Sequence, residues 1–123
     1  MTVTGPSFIA LQVSDLEASA AFYESRLGLR RARTSPPGAV VFDTQPVAFA
    51  VRSPLPGVDL DAAQPRPGVG VALWLHATAP QELHDALAAD GVAIAAPPVD
   101  GPFGRMFSFA DPDGYVVTVH GDA

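Results

Sequence analysis

His76, His120 and Gln12 carry side chains that can hold a metal ion, and the two imidazoles can also move a proton near neutral pH. All three fall in short apolar runs of strand type, where alternate residues share a face. Ala72, Trp74 and His76 therefore lie together, as do Val116, Thr118 and His120. The same alternation groups Phe8, Ala10 and Gln12; Ala48, Ala50 and Arg52; and Met106 with Ser108. Three donors from three strands could meet around one ion, but hydrogen-bonded imidazoles near the edge of a face are the simpler reading. Trp74, the only tryptophan, reads as core packing or as a ligand platform, and its place on the mixed face favours the platform. His84, just after Leu83 on a helical stretch, reads as a solvated helix residue. Arg26, Arg30, Arg31 and Arg33 read as another solvated face, and Arg52 and Arg105 read equally as surface charges. The chain has no cysteine, which excludes a thiolate metal site, a thiol nucleophile and a disulfide framework.

The elements that must position these residues recur twice. Phe8-Ile9-Ala10-Leu11-Gln12-Val13 reads as a strand, and Ser14 with Glu17 three residues later reads as a capping box opening a helix. Leu16, Ala20, Tyr23 and Leu27 form its buried stripe, with Phe22 beside them, and Gly28 ends it. Strands are expected at 39–42 and 47–51 around a turn at 43–46. The Pro- and Gly-rich stretch of about 54–68 reads as a linker. The order then repeats: a strand at 71–76, a box at Thr78 to Gln81, a helix burying Leu83, Ala86 and Leu87, a stop at Gly91 and a short strand at 92–94. Strands at 106–110 and 115–120 flank Asp111-Pro112-Asp113-Gly114, a type I turn by composition. Ser14 and Thr78 occupy equivalent places in two modules, about 5–53 and about 69–121, of a single 1–123 domain. Ile9, Leu11, Val13, Phe49, Val51, Leu73, Leu75, Phe107, Phe109, Val117 and Val119 belong to the opposite, almost wholly apolar strand faces, which should pack under the helices, as should Val47, Val71 and Tyr115.

Length and composition limit the function. At 123 residues the chain supports one small domain or two halves sharing a core. A net charge of −6 has the wrong sign for binding a phosphate backbone, so nucleic acid is an unexpected partner. Only 16% of residues are charged, so a homodimer is expected to cover part of the surface. The sequence shows neither a membrane-spanning run nor the start of a secretory signal, which makes a cytoplasmic protein the expectation.

Asp15-Leu16-Glu17-Ala18-Ser19-Ala20-Ala21-Phe22-Tyr23-Glu24-Ser25-Arg26-Leu27-Gly28-Leu29 resembles the D-x-x-x-S-x-x-F-Y-x-x-x-L-G-L signature of the vicinal oxygen chelate superfamily. The run from Phe103 to Tyr115 resembles its closing G-R-x-x-x-F-x-D-P-D-G-Y hairpin. This family includes glyoxalase I, extradiol dioxygenases, fosfomycin-resistance enzymes and bleomycin-resistance proteins. The resemblance implies an α+β fold of two tandem βαβββ modules, with strands curled into a cup and helices on the convex side. The mixed faces would then line the cup. In metal-dependent members four His, Gln or Glu ligands stand at positions that here carry Phe8, Ala50, Ala72 and Thr118.

The resemblance is therefore closest to the metal-free bleomycin-resistance-like branch, and no metal, cofactor or catalytic residue is expected. The expected function is sequestration of an aromatic and cationic drug or metabolite, of the antibiotic-resistance type. Its contacts would come from Phe8, Gln12, Ala50, Arg52, Trp74, His76, Met106, Ser108, Thr118 and His120. The alternative is a glyoxalase- or dioxygenase-like enzyme, with a metal shifted to Gln12, His76 and His120 or with His76 or His120 as acid–base catalyst. No carboxylate on the mixed faces would orient either imidazole. A scaffold module without a ligand would follow if Phe8, Trp74 and Met106 filled the cup.

Overall fold

In the computed structural model, which describes residues 1–123, the first unit (1–62) runs β1 (Phe8–Gln12), α1 (Leu16–Ser25), β2 (Ala39–Phe42) and β3 (Ala48–Arg52). Strands β1 and β3 pair in parallel, which no tight turn can connect, and α1 lies within the crossover between them. Strand β2 pairs antiparallel with β3, giving the order β1-β3-β2. The remaining strand expected of a βαβββ module is reduced to a single bridge, Arg31 to Phe42. Tyr23, Phe42 and Phe49 pack ring against ring at 5.2–6.3 Å and, at 4% exposure or less, make the aromatic centre of this unit.

The second unit (63–123) runs β4 (Leu73–His76), α2 (Pro80–Ala89), β5 (Ile94–Gly101), β6 (Gly104–Ala110) and β7 (Val116–His120), in the order β4-β7-β6-β5. Again the strand before the helix pairs in parallel with the last strand of its module. The chain thus holds two helices and two mixed sheets, the α+β arrangement of tandem βαβββ modules. Leu87, Phe107, Phe109, Val117 and Val119 form the second core, and Phe49, Val51 and Val13 are buried in the first, as alternation requires. No helix is long and apolar enough to cross a membrane.

Several local expectations change. Asp15, rather than Ser14, caps α1, its Oδ1 accepting from the Ala18 amide at 3.1 Å. Helix α2 has no side-chain cap at all, because Ala79 occupies that place and Pro80, lacking an N–H, opens the first turn. Ala86 is exposed while Leu87 is fully buried. Val71 precedes β4 and is 75% exposed, so it packs under no helix. Strand β5 extends to Gly101 through Pro97 and Pro98, which an edge strand with two register shifts tolerates. His84 is packed against Phe107, ring centroids 5.3 Å apart, and its Nδ1 meets Asp85 at 2.9 Å. The hydrogen bonds of His84 and Gln81 hold the Asp85 carboxyl below the usual carboxylate range.

The Asp111–Gly114 turn is the expected one, with the Gly114 amide donating to the Asp111 carbonyl at 2.9 Å. Asp111 is nearly buried, and its Oδ1 accepts from the Asp113 and Tyr115 amides, each at 3.0 Å. That carboxylate closes the β6–β7 hairpin.

Arg31 joins helix to sheet in the first unit. Beside its bridge to β2, its guanidinium reaches Glu17 at 2.7 Å and Glu24 at 3.2 Å on α1. The hydrogen bond and charge of Arg31 hold the Glu17 carboxyl below its ordinary value, and Glu17 raises Arg31 in turn. A carboxyl depressed in the folded state adds stability above its unfolded pKa and loses it as pH falls through the folded value. Arg31→Met should therefore lower the melting temperature at neutral pH by about a few degrees at most, since solvent screens the pair. The gap to wild type should close as pH drops below about 4. Thermal melts across pH read this directly, and a gap that persists unchanged at low pH would contradict the clamp.

Candidate functional site

The register of the second sheet fixes which side chains meet. Trp74 stands opposite Thr118 and His76 opposite His120 across β4 and β7, while Ser108 and Met106 on β6 stand opposite Thr118 and His120. Six of the residues expected to contact a ligand thus share one face of one sheet. The other four, Phe8, Gln12, Ala50 and Arg52, share a face of the first sheet, where Gln12 is opposite Arg52.

On the second sheet the cluster is aromatic and polar together. The Trp74 ring, 42% exposed, has Phe103 edge-on at 5.9 Å and His120 tilted at 5.8 Å. His76 lies edge-on to His120 at 5.6 Å. Phe103, in the tight β5–β6 turn, is 58% exposed. It was not among the expected contacts, since turn residues have no strand parity to place them. The His120 Nδ1 lies 2.9 Å from the Gly121 carbonyl oxygen and so carries the proton of this contact.

A carboxylate does orient one imidazole, contrary to expectation. Asp122 Oδ1 lies 3.0 Å from His76 Nε2. Alternation continued past β7 would have placed Asp122 with His120. Backbone packing holds it there: Gly104 has φ +83°, and a Cβ at that position would come 2.4 Å from the Asp122 carbonyl oxygen. Arg105 is anchored away from the face, to Gln81 at 2.9 Å and Asp100 at 3.0 Å.

A hollow of about 340 Å³ lies at the start of β4, bordered by Arg66, Gly70, Ala72, Leu73, Val116 and Thr118. Arg66 was read only as part of a linker. The Thr118 and Ser108 hydroxyls are hydrogen-bonded at 2.8 Å.

A divalent ion does not fit the residues present. Phe8, Ala50 and Ala72 have no donor atom, and the Thr118 hydroxyl is a neutral group already bonded to Ser108. Of the alternative donors, Gln12 is already engaged: its Oε1 accepts from the Leu55 amide at 2.8 Å and ties down the chain after β3. Arg52 likewise turns back, donating to the Ser53 carbonyl at 3.0 Å. Within neither unit do three His, Asp or Glu side chains gather closely enough for a metal ion.

Residues 5–119 match the family model of the glyoxalase/bleomycin resistance protein/dioxygenase superfamily. No curated protein sequence matches the chain. Among solved structures, it is similar to TnmS3, an antibiotic binding protein from Streptomyces sp. CB03234, at 21% identity and TM-score 0.75, over 100% of this chain and 99% of that one. It is also similar to the fosfomycin resistance protein FosX of Listeria monocytogenes, at 20% identity and TM-score 0.73, over 99% and 96%. A glyoxalase/bleomycin resistance protein/dioxygenase from Nocardioides is 28% identical, with TM-score 0.69 over 98% and 85%.

The donor chemistry gives a direct expectation. Protein purified without chelators should carry no stoichiometric zinc, nickel, manganese or iron by elemental analysis. One tightly held ion per chain would overturn this assignment and direct attention to Gln12, His76 and His120.

Proposed function

The chain belongs to the glyoxalase/bleomycin resistance protein/dioxygenase superfamily, and from that premise we propose that it is a metal-free small-molecule-binding protein that sequesters an aromatic drug or metabolite. The observation that carries this reading is the half-exposed Trp74 ring, flanked by Phe103 and His120, on a strand face where the family's metal positions hold Ala72 and Thr118. A planar ligand would lie against Trp74, gaining on the order of 0.5–1.5 kcal/mol from stacking and more from apolar burial. Asp122 beside the aromatic wall favours a cationic group on its outer side. Similarity to an antibiotic binding protein supports the same reading.

The contacts assigned to the ligand are Trp74, His76, Met106, Ser108, Thr118 and His120. Phe8, Gln12, Ala50 and Arg52 complete the assignment, with Ala50 fully buried and Gln12 and Arg52 also holding backbone. We place this cytoplasmic function in a homodimer, in which the exposed Val99 and Phe103 would be covered by a second copy.

A second reading rests on His76 and Asp122. Their 3.0 Å contact orients the imidazole for acid–base chemistry. The pair is open to water, with side chains 49% and 86% exposed. Sequestration asks less of the residues present.

Titration of aromatic antibiotics should change the Trp74 emission saturably for at least one compound, with the bound compound recovered chemically unaltered. Trp74→Ala should weaken that binding by roughly tenfold or more. Affinity unchanged by Trp74→Ala, Phe8→Ala and His120→Ala alike would place the ligand elsewhere, and a converted compound would favour the enzyme. In sedimentation at micromolar concentration the protein should run at twice the 12.7 kDa chain mass. A monomer at every concentration would contradict the dimer.

A further inference from the structure

We infer that the hollow at the start of β4 seats a carboxylate group of the ligand, with Arg66 as its counter-ion. The inference rests on the aromatic-binding reading and deepens it, adding an acid group at the end of the aromatic ligand that enters the hollow.

Arg66 is the only charged side chain bordering the hollow. Three of the other arginines have carboxylate partners: Arg31 has Glu17 and Glu24, Arg105 has Asp100, and Arg30 has Asp43. Arg66 has no ion pair and no hydrogen bond, though it is half-buried. A guanidinium partly withdrawn from water and left without an anion presents a fixed fork of donors to whatever enters.

The segment carrying it is held in place. Pro67 is buried, and Gly68, at φ +71°, lies so close to Tyr115 that a Cβ there would come within 2.8 Å of the ring. The Val71 amide closes the turn onto the Gly68 carbonyl at 3.0 Å. Arg66 is therefore presented from a packed turn.

The hydroxyl pair supplies a second donor. Of the two protons on Ser108 and Thr118, one is used in their mutual bond. An anion in the hollow would orient the pair so that Ser108 donates to Thr118 and Thr118 donates to the anion. The opposite walls, Ala72, Gly70 and Val116, bring no carboxylate that would repel it. One guanidinium balances a single negative charge and one hydroxyl adds a donor, which matches a carboxylate better than a dianionic phosphate.

The spacing joins this pole to the aromatic wall. Ala72 is two residues before Trp74, roughly 7 Å along an extended chain, and Thr118 is the direct neighbour of Trp74 on β7. A bicyclic aromatic acid spans that distance. The net charge of −6 does not oppose it, since long-range charge is screened over about 8–10 Å in salt while Arg66 acts in contact.

Calorimetric titration with 2-naphthoate and the neutral 2-naphthamide tests the proposal on wild type, Arg66→Gln, Arg66→Lys and Trp74→Ala. Wild type should bind the acid at least roughly tenfold more tightly than the amide. Arg66→Gln should abolish that preference while changing amide affinity by less than about twofold, and Arg66→Lys should restore part of it. Trp74→Ala should weaken both probes. Because Arg66 has no partner to orphan, the two Arg66 variants should keep the wild-type melting temperature. Equal wild-type affinity for acid and amide, or a preference that survives Arg66→Gln, would overturn the carboxylate site; if Trp74→Ala still weakened both probes, the aromatic reading would stand. Failure of both probes to bind saturably at millimolar concentration would overturn both.

Discussion

The parallel pairing of β4 with β7 sets Trp74 opposite Thr118 and His76 opposite His120, and what the open face of the second unit offers a ligand follows from that register. Slipping β4 by one residue would turn Leu73 and Leu75 outward and bury Trp74 and His76. The crossover through α2 and the apolar partners Val117 and Val119 oppose that slip, since both valines are sealed in the core. The hairpin closed by the Asp111 carboxylate then fixes β6 against β7 and brings Ser108 to Thr118. Site geometry and core packing are thus two faces of the same ladder.

The first unit repeats the ladder with different consequences. Ala10 stands opposite Ala50 and Gln12 opposite Arg52, the places that Trp74, Thr118, His76 and His120 hold in the second. There the polar side chains are engaged in holding the chain after β3, through the Leu55 amide and the Ser53 carbonyl. Duplication of one module has let one copy keep structural contacts while the other presents an aromatic and imidazole surface. In the second unit Arg105 on β6 makes the comparable link, to Gln81 on α2 and to Asp100 on β5, while Arg31 in the first holds two glutamates of α1.

Alternation made the faces legible from sequence because the period of a strand is two and the apolar set was nearly pure. It identified the buried Phe49, Val51, Phe107, Phe109, Val117 and Val119 and the open Trp74, His76 and His120. What it missed lies where no period operates. Phe103 is in a turn, Arg66 in a stretch dense in proline and glycine, and Asp122 just past the end of β7. Capping was misplaced because Ser14 and Asp15 are both competent caps, and only backbone geometry selects Asp15. The pairing of Arg31 with two glutamates is a tertiary contact, invisible to local composition.

The central claim is that a ligand is held by side chains alone, on a face where related proteins can carry metal ligands. A thermal-shift screen of aromatic compounds, run once with a chelator and once with added manganese, addresses it most directly. A ligand that binds only the folded protein stabilises it by about 2.7 kcal/mol at a hundredfold excess over Kd. The account predicts the same upward shift in melting temperature for the same compounds with chelator and with manganese. Stabilisation that appears only with manganese would contradict it.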